Sequence, residues 1–258
     1  IYGYVNDGFY TVADFESFDS KSRTWKLKEG VVDSSPLSDT PRPGNAKFKK
    51  LTPVDPNSTN PYQLTEADRT VIGNTTPKFS GGFGLNATYK GFDMSMFFNF
   101  MYDFDVLNAN KIMLTTWADN KENNFLMDIA SDKRWRNFDD MGNEIRYSPE
   151  VLAEFNKNAT MWNPTSIGRP ICMSYAVEDG SFLRLNSATL GYTLPSVWTK
   201  KVGLSKVRFY VSGNNLFTLT GYSGYDPEVN IATGLTPNID YNRYPRSRTY
   251  TFGAQLTF

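Results

Sequence analysis

Apolar residues recur at every second position over several stretches of this chain and almost nowhere at helical spacing. Residues 78–90 (KFSGGFGLNATYK) put Phe79, Phe83, Leu85, Ala87 and Tyr89 on one side, with Ser80, Gly82, Gly84, Asn86 and Thr88 on the other. Residues 92–102 (FDMSMFFNFMY) set Phe92, Met94, Met96, Phe98, Phe100 and Tyr102 against Asp93, Ser95, Phe97, Asn99 and Met101. Only Lys90 and Gly91 separate the two, which predicts a tight hairpin. Residues 206–214 (KVRFYVSGN) and the terminal RSRTYTFGAQLTF alternate in the same way. In SFLRLNSATLGYTLP (181–195), Leu183 and Leu185 share a face, and then Ala188, Leu190 and Tyr192 take over with opposite parity. A bulge near Asn186–Ser187 would restore one common face. The opening IYGYVNDGFYTV gives a weaker sixth strand. The expected strands therefore lie near 1–12, 78–90, 92–104, 181–194, 206–218 and 247–258.

The connections between them alternate long, short, long, short, long, with long loops at 13–77, 104–180 and 219–246. In an antiparallel meander this places every long loop at one end of the sheet, the arrangement of outer-membrane barrels. The polar face is built from Ser, Thr, Asn, Gly and Gln rather than Lys and Glu, unlike a face that meets bulk water. The apolar face carries Tyr or Phe at strand ends (Phe79, Tyr89, Phe92, Tyr102, Tyr250, Phe258), the layout of aromatic girdles. These features predict an all-β fold, an antiparallel transmembrane β-barrel wall in contact with lipid. A soluble β-sandwich carbohydrate-binding or adhesion module is the alternative. Six strands cannot close, because bare edges in lipid would leave backbone groups unpaired. The expectation is therefore a piece of a longer polypeptide that supplies the other strands.

Composition changes the picture only at its margins. Lys plus Arg (27) balance Asp plus Glu (27), so nothing points to nucleic acid. Aromatic residues make up 15% of the chain, which suits β structure and interfaces. There is no histidine, which excludes Ser–His and Cys–His nucleophile pairs. The single cysteine, Cys172, cannot form an internal disulfide.

Five blocks in order then resemble the C-terminal part of a SusC/RagA-type TonB-dependent transporter of Bacteroidetes. They are YGYVNDGFY, DRTVIGNTTPKFSGGFGLNATYKGFDMSMFF, VEDGSFLRLNSATLGYTLP, VSGNNLFTLTGYSGYDPEV and YPRSRTYTFGAQLTF. The resemblance implies a 22-stranded barrel, of which this chain would supply about the last six strands. It implies a plug and a TonB-contacting N-terminal region that lie outside this chain. It also implies a SusD-like surface lipoprotein as lid, an outer-membrane location, and import of an oligosaccharide or oligopeptide. Thr251, Gly253, Leu256 and Phe258 are similar to the terminal signal read by the barrel-assembly machinery. Many relatives carry a calcium-loop-like stretch before the Asp-Arg signature. Here LTPVDPNSTNPYQLTEADR stands instead, with Asp55, Asn57 and Asn60 lacking the required spacing, so no metal or cofactor is expected.

For chemistry the residues offer little. GYSGY (221–225) departs from the nucleophile elbow at Tyr225, and the acid pairs Asp103/Asp105 and Asp139/Asp140 read as solvated loop charges. A carboxylate glycosidase is the remotest reading, and no enzyme is expected. The loop aromatics Trp117, Trp135, Trp162, Tyr222 and Tyr225 are the candidate substrate contacts, as amphipathic rings that stack on sugar or peptide. Packing of the loops against one another or against a lid protein is the competing role, and the favoured one for any single ring. Trp198, beside Lys200 and Lys201, reads as an interfacial anchor.

Overall fold

The long alternating stretches form one antiparallel sheet, while the segments between them fold around a core of their own. The computed structural model describes residues 1–116, 124–229, 237–241 and 243–258. In chain order its strands are β1 (Tyr2–Gly3), β2 (Asn6–Phe9), β3 (Phe15–Asp19), β4 (Thr24–Leu27), β5 (Ala46–Phe48), β6 (Thr70–Val71) and β7 (Phe79–Tyr89). There follow β8 (Phe92–Tyr102), β9 (Asp105–Asn108), β10 (Val177–Asp179), β11 (Phe182–Thr193), β12 (Lys206–Thr220), β13 (Ile239–Asp240) and β14 (Thr249–Thr257). Short helices are α1 (Ala109–Met113), α2 (Pro149–Phe155) and α3 (Ser196–Thr199). The chain divides into two compact units, Ile1–Gly73 with Leu107–Val177, and Asn74–Val106 with Glu178–Phe258.

The second unit is built on a five-stranded sheet in the order β14-β12-β11-β8-β7. Directly opposed residues share a face, so the register shows which side chains line up. Phe83 faces Phe98, Leu85 faces Met96, and Tyr89 faces Phe92. Phe92 in turn faces Tyr192, Val211 faces Phe252, and Val207 faces Leu256. Phe83 and Phe98 stack with centroids 4.9 Å apart. The parity change in β11 is met by a register shift between Leu185 and Ser187 against both neighbours, which returns Leu183, Leu185, Ala188, Leu190 and Tyr192 to one side. On β12 the shift takes up two residues, and Asn215 there adopts a left-handed backbone (φ 52°). Lys90 and Gly91 both have positive φ (46° and 88°), as a two-residue primed turn requires.

That apolar face remains bare. Phe79, Phe83, Leu85, Tyr89, Phe92, Leu190, Phe209, Tyr250, Phe252 and Leu256 are all exposed, Phe252 at 80%. Among the described residues, β7 and β14 each have a neighbour on one side only. The eleven residues of β7 at ~3.3 Å rise and ~40° tilt would cover about 28 Å, close to the apolar band of a membrane barrel. At the short-turn end, Ser205 fastens the chain terminus. Its N–H donates to Thr257 O at 2.8 Å. Its hydroxyl lies 2.9 Å from Thr257 O and 3.2 Å from Phe258 O.

Two expectations need correction. Residues 1–12 do not add a sixth strand to this sheet: β1 pairs with β6, and β2 pairs with β5. The alternation there is short and broken at Gly8 (φ 77°). Tyr4 and Tyr10 point into the first unit's core instead. The Tyr10 hydroxyl donates to Val32 O at 2.5 Å and accepts from the Ser34 N–H at 3.1 Å. Burial pushes this phenol up to about 12.

Nor are 13–77 and 104–180 structureless loops. They supply most of the first unit, where Phe48, Leu64, Ile129, Leu152, Trp162 and Met173 are all at most 2% exposed. Each such side chain contributes roughly 1.5–3 kcal/mol by leaving water. The unit's polar organiser is Asp68, which is fully buried. Its carboxylate accepts from the Leu51 and Thr52 N–H groups (2.8 and 2.7 Å), the Thr52 hydroxyl (2.7 Å) and the Thr65 N–H (2.8 Å). Lys50 Nζ lies 3.5 Å away. Burial alone would raise this carboxyl, but the bonds from Thr52, Thr65 and Leu51 outweigh it and hold it well below the usual carboxylate range.

Candidate functional site

On the polar side of the sheet, glycines create room for long side chains. Gly191 faces Asp93 on one neighbour and Tyr210 on the other. A Cβ at Gly191 would sit 2.4 Å from Arg208 Nη2 and 2.6 Å from Asp93 Oδ1. Because that space is free, Arg208 reaches across β11 and grips Asp93 with two bonds, Nε–Oδ1 at 2.9 Å and Nη2–Oδ2 at 2.5 Å. Two parallel bonds fix the geometry as well as the charge. A second device of this kind involves Gly253, where a Cβ would fall 2.4 Å from the Tyr210 ring. The ring lies across β14 at the one position with no side chain to obstruct it.

At the opposite end of the strands, Arg184 of β11 is 1% exposed. Its Nη2 donates to Asp226 Oδ1 at 2.5 Å, and its Nη1 lies 3.8 Å from Glu228. Arg246 bonds Glu228 at 2.6 Å. Burial would raise the Asp226 carboxyl, yet the Arg184 bond and the Glu228 N–H together keep it below the usual range. Close by, the Tyr222 hydroxyl donates to Asp240 at 2.7 Å, and burial followed by that partner drives the phenol far upward. Ser223 donates through its hydroxyl and N–H to Glu178 (2.8 and 3.0 Å). These ties fasten residues 222–228 to the strand ends. They hold a loop in place and present no nucleophile beside a base. Among the described residues no group of three His, Cys, Asp or Glu could hold a metal. The Cys172 thiol is pushed up by burial, away from thiolate chemistry.

The candidate substrate contacts divide sharply. Trp135 (2% exposed), Trp162 (1%) and Tyr222 (6%) are core residues, and a ring so enclosed has no face left for a ligand. Trp162 donates its indole N–H to Thr115 O at 3.3 Å. Trp135 packs over Gly44, where a Cβ would come 2.2 Å from the ring. Tyr225, by contrast, is 83% exposed. Trp117 lies outside the described residues. Of the terminal set, Thr251 and Gly253 lie on the polar side, and Leu256 and Phe258 are exposed on the apolar side. The Asp93–Arg208 grip was visible only as two charges on the polar parity. The Arg184 cluster joins FLRL to YDPE, two blocks already marked by the resemblance.

No family model matches the chain. It is 33% identical to "TonB-dependent receptor P3" of Formosa agariphila over 263 residues, covering 100% of this chain and 22% of that protein. Over 88 residues it is 38% identical to "TonB-dependent receptor SusC" of Bacteroides thetaiotaomicron, covering 33% of this chain and 8% of that one. Among solved structures it is similar in fold to the RagAB peptide importer in its 'open-open' state (TM-score 0.56, 22% identity), over 100% of this chain and 22% of the other. The RagAB peptide transporter gives a TM-score of 0.59 at 21% identity, over 100% of this chain and 22% of the other. The chain thus spans about a fifth of the length of P3. With the five sequence blocks and the strand architecture, these relatives place it: the chain belongs to the TonB-dependent receptors of the SusC/RagA type and fits their C-terminal part.

Proposed function

We propose that this chain forms part of the barrel wall of an outer-membrane importer of oligomeric nutrients, driven through TonB and acting by gated passage without chemistry on its cargo. The observation that carries this reading is the bare apolar face of the five-stranded sheet, exposed from Phe79 to Leu256. A continuous face of that size is too large to leave in water and has the right height for a hydrocarbon layer. Its reverse side, with Ser95, Thr189, Ser212 and Thr251, would line an aqueous lumen. The bare edges of β7 and β14 would pair with the remaining strands of a 22-stranded barrel, since unpaired edges are costly in lipid.

In this reading the long loops at 13–77, 104–180 and 219–246 are extracellular, a SusD-like lipoprotein would lid the mouth, and Tyr225 would meet cargo. A plug and TonB-contacting region would come from the rest of the receptor. RagAB is a peptide importer; for this chain, glycan and peptide both suit passage without chemistry. Leu256 and Phe258 would serve the assembly machinery together with Thr251 and Gly253.

Fractionation of cells making the full receptor tests the reading. We expect the protein in the outer membrane, extracted only by detergent, and migrating differently on gels with and without heating. A detergent-free, folded monomer would instead support a soluble β-sandwich module and overturn the importer reading.

A further inference from the structure

The first unit holds a small basic pocket that none of the roles above uses. Its cavity measures about 80 Å³, and its lining includes Arg23, Arg42, Arg146, Asn137 and Tyr147. Asp39 is the one carboxylate in that lining. The volume suits one compact polar group and is too small for a sugar ring or a peptide side chain of any length.

Two of the arginines, Arg23 and Arg146, are held in place by neighbours. Arg23 ends the turn between β3 and β4 with φ 55°, a left-handed backbone that an L-residue adopts at a cost. Asp19 shapes that turn, accepting from the Lys21 N–H at 2.9 Å and the Ser22 hydroxyl at 2.7 Å. A glycine would relax the position. The arginine there carries its guanidinium to 4.8 Å from the centre of the Tyr147 ring, and Arg146 approaches the same ring at 5.8 Å. Phe18 stacks against Tyr147 at 6.1 Å and steadies it.

Arg146 has Glu144 at 2.9 Å. Arg23 and Arg42 have no ion-pair partner among the described residues. The Asn137 side-chain amide likewise has no hydrogen-bond partner among them. Three guanidinium groups lining a group-sized cavity match an oxyanion in charge.

We propose that this pocket binds a single carboxylate or sulfate group of an acidic oligosaccharide. The rest of the lining favours a sugar over a peptide. It is mostly amide and hydroxyl (Asn137, Thr165), and the aromatic faces of Trp25 and Tyr147 are already taken by Phe18 and its neighbours. The inference rests on the importer reading only in supposing that the cargo can reach this unit from outside the cell.

Calorimetry on the detergent-purified full receptor tests it. The probes are an oligogalacturonate, its neutral methyl ester of equal length, a sulfated oligosaccharide and an acidic peptide. The acid and sulfated probes should bind at least ~10-fold more tightly than the ester, an advantage that shrinks with added salt. The double variant Arg23→Gly/Arg42→Ala should erase the advantage without lowering the melting temperature, because glycine relaxes the turn and Arg42 is exposed. Equal affinity for acid and ester, no binding of either, or a preference that survives in the double variant would overturn the proposal. Tighter binding of the acidic peptide would overturn its ligand class. TonB-dependent uptake of a neutral oligomer tests the importer reading separately, so a receptor that passes that assay and shows no charge preference loses this inference alone.

Discussion

Phe48 and Phe252 are the same side chain in opposite circumstances. Phe48 is fully enclosed in the first unit, and Phe252 stands 80% exposed on the sheet of the second. The two units have solved the same problem of apolar surface in different ways. The first folds its connections inward, so that Leu64, Ile129, Trp162 and Met173 are covered by one another. The second turns its apolar residues outward along β7, β8, β12 and β14 and keeps mostly polar and glycine residues, with Phe97, Met101 and Tyr210, on the other side. In the importer reading, hydrocarbon meets the outward face of the second. The difference teaches that hydrophobicity alone does not say what is inside; the surroundings of each unit decide it.

Substitutions can break or sharpen the contrast. Phe48→Ala should cost the first unit about 3–5 kcal/mol through lost burial and a residual cavity, read by denaturant unfolding of the purified receptor or by protease susceptibility of residues 13–77. Phe252→Arg should cost about 2–4 kcal/mol in bilayers if, as proposed, this mid-strand site meets lipid. Were that face in water, the same change would stay within ~0.5 kcal/mol. Unfolding in liposomes therefore separates the two settings.

Asp68→Asn should remove roughly 2 kcal/mol from the first unit at neutral pH, the worth of a hydrogen bond to a charged group. It should also alter the pH dependence. The native carboxyl lies below its unfolded value of about 3.9, so its stabilisation is complete above that pH and is lost as the pH falls toward the native value. Melting curves between neutral and strongly acidic pH should lose this acid-side slope in the variant. Gly253→Ala should have the smallest effect, ~1 kcal/mol of overpacking as the Tyr210 ring is displaced. It should be visible as slower barrel assembly rather than as a changed first unit.

The sheet was legible in the sequence because alternation at period two is a local signal. The bulge in β11 could be placed near Asn186–Ser187 from parity alone, and the hairpin at Lys90–Gly91 from its two-residue gap. The first unit was not legible for the opposite reason. Tyr10 meets Ser34 at a separation of 24 residues, and Ala46 N–H meets the Ser166 hydroxyl at 120. Contacts of that range leave no periodic trace in a window of ten residues.

The aromatic residues were ambiguous for a related reason. Trp135 and Trp162 sit in stretches that read as loops, where stacking on cargo and packing of the loops were both open, and the structure makes each part of a core assembled from distant segments. The Asp93–Arg208 grip depends on Gly191, whose missing side chain is informative only once the register is known. The Arg184 cluster shows what the resemblance contributed, since it marked both halves before the fold joined them.

The central claim is that hydrocarbon wets the odd-numbered residues of β7 and the even-numbered residues of β14, while water reaches the residues between. The direct test places an environment-sensitive fluorophore, one site at a time, at cysteines introduced at 83, 84, 85, 251 and 252 of the full receptor reconstituted in liposomes. The account predicts strong quenching by brominated lipid tails at 83, 85 and 252, and quenching by aqueous iodide at 84 and 251. Iodide quenching at every position, or the reverse alternation, would contradict it.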